Sequence, residues 1–310
     1  MGWLLLELIT FGVIFFSLTT LLAVIVRSFD HHIFETAIDI NENSNPFTLL
    51  LDTGFLFVFI VSLVTAILVY HVIFRHPLNQ LGLGFTGSLK LFGKGWLVSS
   101  ILILIGFLII TAFGQFQFFT SYWNAKYFFG FLVFFIVQST AEEIITRAYL
   151  IPTIENWLGT IPALIVSASL FAIMHLGNEN FTWMGFFNIL LGGLIMAALF
   201  VKYRNLWLCA GFHSGWNFMQ GTFLDFNVSG VDVYSWMQFK PIGYSRITGG
   251  DFGFEGSLVS VLALIVLIGI LHKKMPLTYN KFPIDRLVKK DNAILNPLTD
   301  PPTTREEGIN

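Results

Sequence analysis

Long apolar stretches separated by short polar connections dominate the chain, and eight of them are candidate helices: Trp3–Val26, Leu49–Phe74, Trp96–Phe116, Tyr127–Ile151, Pro162–Leu176, Trp183–Tyr203, Leu206–Phe223 and Ser257–Leu271. About 20 apolar residues are needed to cross a bilayer as a helix, so the fifth and eighth are short. The pattern predicts an all-α polytopic bundle of about eight transmembrane helices. The first stretch is too long for a signal-peptide core and has no basic residue before it, so it reads as a retained helix. From Lys273 onward the chain becomes charged and proline-bearing. This divides it into a membrane domain over 1–272 and a mobile, cytoplasmic tail over 273–310.

Composition agrees with the pattern. Of 310 residues 55% are hydrophobic, 16% aromatic and 12% charged, against about 25% charged in soluble domains. A net charge of −2 gives no reason to expect a nucleic-acid partner. The one cysteine, Cys209, excludes an internal disulfide. With eight spans both termini share a side. Arg75, Lys90, Lys94, Lys202, Arg204 and the basic tail fall on that side, and most acidic connections fall on the other. By the positive-inside rule both termini are cytoplasmic, in a multi-pass protein of the cell membrane, and the loop from Gly221 to Gly256 is outside.

Against this background the ionisable residues inside apolar stretches matter, because each is costly at membrane depth. Glu142, Glu143 and Arg147 lie near the end of the fourth stretch, His175 ends the fifth, and His213 and Asn217 lie in the seventh. Residues four apart share a helix face, so Glu143 can pair with Arg147, while Glu142 points about 100° away and is free to face a cavity. Phe171 shares a face with His175, and His213 with Asn217. Counted from turns near Trp157 and Arg204, all four polar groups fall at comparable depths, around a cavity open to the cytoplasmic half.

A carboxylate, two imidazoles and a carboxamide around water suit amide hydrolysis, with Glu as general base and a His sharing its water. A second His and Asn can serve as oxyanion donors. Glu142, His175 and His213 could instead hold zinc. The metal-free route is preferred, because Glu142 cannot easily be both ligand and base, and Asn217 is a poor ligand but a good donor. Taken singly, each His reads as a packing residue, Glu143–Arg147 as a structural pair, Glu7 and Asp52 as acids near helix ends, and His71 and His76 as interfacial.

The three motifs in order are E-E-x-x-x-R at Glu142–Arg147, F-x-x-x-H at Phe171–His175 and H-x-x-x-N at His213–Asn217. They resemble the CPBP intramembrane proteases, the family of type II CAAX prenyl endopeptidases and of bacterial bacteriocin-processing or immunity proteins. ITGGDFGFEGS at Ile247–Ser257 is similar to a glycine-rich segment before the last helix in bacterial members. The resemblance implies a site inside the bilayer reached from the cytoplasmic face. It implies that Glu142 activates water with His175, and that His213 and Asn217 stabilise the oxyanion. The substrate it implies is a membrane-associated protein or peptide. Two alternatives stay open: a non-catalytic scaffold or immunity protein of the same fold, and a transporter or proton channel. Against the latter there is no inverted repeat and no pair of broken helices.

Overall fold

The computed structural model describes residues 2–29, 60, 64–73, 78–84 and 87–274. Most of the expected second helix, together with Asp52, His76 and the tail from 275, lies outside the described residues. Within them the protein is mostly helical. The long helices are α1 (Gly2–Phe29), α2 (Ser88–Ala112), α3 (Ala125–Glu143), α4 (Leu150–Leu158), α5 (Thr160–Met174), α6 (Trp183–Tyr203), α7 (Leu206–Phe218) and α8 (Leu258–Lys274). Among the described residues three continuous helices are long and apolar enough to span a bilayer: Ser88–Ala112, Ala125–Leu158 and Trp183–Tyr203.

Polar caps set where several of these helices start. The side chains of Asn124, Thr182 and Asn205 accept from the backbone N–H of Tyr127, Gly185 and Leu208, each satisfying a donor that the first helical turn leaves unpaired. The expected helix Trp96–Phe116 begins earlier, at Ser88, and ends at Ala112. Phe116 belongs instead to a strand, β1 (Phe116–Ser121), paired antiparallel with β2 (Met237–Pro241). The mostly helical bundle thus carries a short two-stranded ribbon. Its aromatic residues look like a helix end in sequence, but Phe116 packs on Phe107, Phe226 and Phe239.

Between α3 and α4 the helix widens into a π-helical segment, Ile144–Tyr149, a feature that often accompanies functional sites. Hydroxyls bond to carbonyls on either side of this widening: Thr146 Oγ1 donates to Glu142 O and Ser167 Oγ to Thr146 O, each at 2.6 Å. On its outer side Tyr149 stacks against Phe11 of α1.

Helix α7 packs closely against α2. A Cβ on Gly211 would lie 2.1 Å from Phe92 O, and one on Gly95 would lie 2.2 Å from Leu208 O. Only glycine permits this approach, the small-residue packing common between membrane helices. It turns the opposite side of α7, with His213 and Asn217, toward α3.

Gly159, with φ 90°, makes the α4–α5 turn, and Arg204 in the left-handed region makes the α6–α7 turn. Arg204 grips Glu155 through two bonds of 2.6 and 2.9 Å, so both turns sit at one end of the bundle. Their positions agree with the turns expected near Trp157 and Arg204.

Candidate active site

Counted from Gly159, Glu142 lies 17 residues before (159 − 142) and His175 16 residues after (175 − 159), which puts them at matching heights on antiparallel segments. With His213 and Asn217 they line one cavity of about 210 Å³, whose walls include Phe134, Phe135, Gln138, Asn178 and Ser229. The four candidate residues from three separate stretches are therefore brought together.

Glu143 and Arg147 are fully buried and paired at 3.0 Å. Glu143 does more than neutralise the arginine. Its Oε1 also lies 3.0 Å from His213 Nδ1. A carboxylate only accepts, so Nδ1 carries the proton and Nε2 is left facing Glu142, with 3.9 Å between Nε2 and Glu142 Oε2. His175 is fixed in the same way by a backbone group: its Nδ1 donates to Phe171 O at 2.7 Å. Phe171 is the wedge between the imidazoles, edge-on to both rings. The Arg147 guanidinium lies 4.3 Å from its ring centre, a cation–π contact.

Glu142 itself is unevenly satisfied. Oε1 accepts from Gln138 Nε2, whereas Oε2 is buried and has no hydrogen-bond partner among the described residues. Gln138 also accepts from Asn217 Nδ2 at 3.2 Å, so it bridges the carboxylate of α3 to the carboxamide of α7. Sequence reasoning passed over Gln138. The signal was its place four residues before Glu142, on the same helical face.

Glu255 was also missed, because it falls in the loop from Gly221 to Gly256 that was read as outside. It is buried, accepting from Trp216 Nε1 at 3.2 Å and from Ser229 N and Oγ at 2.9 and 2.7 Å. It thereby ties the cavity wall at Ser229 to α7 beside Asn217. The glycine-rich run makes this burial possible. Gly253 has φ 94°, and a Cβ there would lie 1.8 Å from Asn227 O.

Neither imidazole Nε2 makes a hydrogen bond among the described residues, although His213 Nε2 stands 3.9 Å from Glu142 Oε2. No group of three or more His, Cys, Asp and Glu side chains among those residues is arranged to hold a metal ion. Glu142, His175 and His213 as placed do not form the zinc set considered from sequence.

The cavity reaches toward one end of the bundle. Its lining residues Asn178, Val228, Ser229, Val231 and Val233 belong to the connections at the end remote from Gly159 and Arg204. No lining residue comes from those two turns. The lining therefore reaches the connections at the end of the bundle away from Gly159 and Arg204.

These features define a helical membrane protein with a carboxylate–imidazole–carboxamide cavity between its helices. The family model described as Type II CAAX prenyl endopeptidase Rce1-like matches residues 122–219, the stretch that holds all three motifs. Over that segment the chain is similar to a family of membrane endopeptidases, which supports the CPBP resemblance drawn from the motifs. No curated protein matches the chain.

Proposed function

We propose that the protein is an intramembrane endopeptidase that hydrolyses a peptide bond of a membrane-associated protein or peptide, with Glu142 as the base. The observation that carries this reading is the unpartnered Glu142 Oε2 facing His213 across 3.9 Å in a cavity shared with His175 and Asn217. A buried carboxylate oxygen without a partner is costly, and a water between these groups would relieve that cost.

In the proposed reaction the water oxygen attacks the substrate carbonyl carbon while Glu142 Oε2 takes one proton. His175 Nε2 accepts the water's other hydrogen and orients it. As an oxyanion donor His213 must carry a proton on each ring nitrogen, Nδ1–H toward Glu143 and Nε2–H into the cavity. That donor and Asn217 Nδ2 receive the developing oxyanion, which displaces Gln138 from Asn217. Each such donor is worth about 3–4 kcal/mol of transition-state stabilisation. The C–N bond then breaks, and Glu142 returns its proton to the leaving nitrogen.

The test is a comparison of protein termini in membranes from cells expressing wild type or Glu142→Gln. New termini that depend on Glu142 are expected. If the two membranes are identical and Glu142→Gln replaces wild type in every phenotype, the protein is a scaffold and the proposal fails.

A further inference from the structure

We infer that the cavity opens on the face of the membrane opposite the cytoplasm, so that the substrate is cut in a segment exposed on the outer side, next to its membrane anchor. This rests on the endopeptidase reading, and it departs from the cytoplasmic access that the family resemblance implies.

Three observations carry it. Helix α5 has 15 residues, about 22 Å of helix at 1.5 Å per residue, against about 30 Å of hydrocarbon. It stops at the height of Glu142, and the space a longer helix would fill is taken by two turns. Asn178 Nδ2 donates to Ser229 O at 2.9 Å, and Asn180 Nδ2 to Gly230 O at 3.2 Å. Asn178 and Ser229 of these clasped turns line the cavity together with Val231 and Val233.

Second, the other end is closed. Between the site and the Gly159 turn lie buried Ile151, Ile154 and Leu164, with Phe200 and Leu206 beside the Arg204 turn. The Arg204–Glu155 pair, to which Thr160 Oγ1 adds a bond of 2.7 Å, seals that end.

Third, the closed end is the basic one. Lys90 and Lys94 at the start of α2, Lys202 and Arg204 at the end of α6, and Lys273 and Lys274 at the end of α8 all lie there. The end with the cavity carries Glu179, Asp225, Asp232 and Asp251 against Lys126, Lys240 and Arg246. The positive-inside rule places the basic end in the cytoplasm, and the open end is then outside.

Single-cysteine variants test this in intact cells with a membrane-impermeant maleimide. Wild type serves as the blank, because its one cysteine, Cys209, is buried. Asp232→Cys, exposed between the lining residues Val231 and Val233, and Ser229→Cys in the cavity wall are expected to label without permeabilisation, and Lys94→Cys only after it. The reverse pattern, or labelling of all three in intact cells, overturns the inference. The cut positions of Glu142-dependent termini give the second readout. They are expected in outward-facing juxtamembrane segments, and cuts in cytoplasmic segments overturn the inference. If no Glu142-dependent termini exist, the endopeptidase reading fails, while the labelling still reports which face the cavity meets.

Discussion

One oxygen of Glu143 lies 3.0 Å from Arg147 Nη1 and 3.0 Å from His213 Nδ1, so a single buried carboxylate balances a cation on its own helix and orients an imidazole on another. The motif glutamate beside the proposed base therefore links the helix that carries Glu142 to the one that carries His213. Glu143→Gln is expected to destabilise the protein by about 3–5 kcal/mol, the usual cost of stranding one partner of a buried pair. Glu143→Gln/Arg147→Met should recover part of that stability in thermal melts without recovering activity, since His213 remains without its carboxylate. A double variant no more stable than the single would refute the pairing, and one that regains activity would refute the orienting role.

Asn217 and Gln138 should separate by magnitude. Removing one oxyanion donor costs about 10²–10³ in kcat, so Asn217→Ala is expected to fall in that range with its fold intact. Gln138→Ala removes a bond to Glu142 Oε1 and one to Asn217 but no atom assigned to the reacting centre, so its loss should be smaller. Equal losses would mean that the bridge itself is the reacting element.

The α2–α7 contact sets where His213 and Asn217 stand. Gly211→Ala forces a methyl into a space 2.1 Å from Phe92 O, and such overpacking costs about 1–3 kcal/mol. Lower melting temperature and lower activity are both expected, because the backbone must shift with the site on it. Unchanged melting would show that α7 is not seated as described.

The loop between α7 and β2 carries a pH dependence. Burial raises the Asp225 carboxyl from 3.8 to about 6, reinforced by the nearby Asp232 and opposed by the bond from Phe239 N. Asp232 is raised in the same direction, also by burial. A raised folded value means that the folded state binds more protons between 3.8 and about 6, so stability falls as pH climbs through that window. Asp225→Asn should remove the Asp225 share of this dependence, and its stability relative to wild type should rise from pH 4 to pH 7. A parallel pH profile for the two proteins would contradict the assignment.

Much of the site is legible in the sequence because helix spacing is rigid. Four-residue separations put Glu143 with Arg147 and Phe171 with His175, and the short α4–α5 turn fixes Glu142 level with His175. The span Trp183–Tyr203 can be read to the residue because Thr182 caps one end and Arg204 turns the chain at the other. What sequence does not carry is long-range partnership. Gln138 gains its meaning from Asn217, 79 residues away, and Glu255 from Ser229 and Trp216. A glutamate in a polar loop reads as solvated until the glycine turns that bury it are folded. The aromatic strand Phe116–Ser121 has no period to distinguish it from a helix end. The direction in which the cavity opens depends on where α5 stops against the Ser229 turn, and no local pattern encodes that.

The central claim is that Glu142, His175 and His213 act as one hydrolytic unit. Its most direct measurement is cleavage by purified protein in liposomes of a segment identified from Glu142-dependent termini, compared among Glu142→Ala, His175→Ala, His213→Ala and the triple variant. Groups that act together are strongly non-additive. Each single change is therefore expected to lose nearly all cleavage in a protein that still melts cooperatively, and the triple variant to be little worse than any single. Cleavage by Glu142→Ala at a rate near wild type would contradict the account.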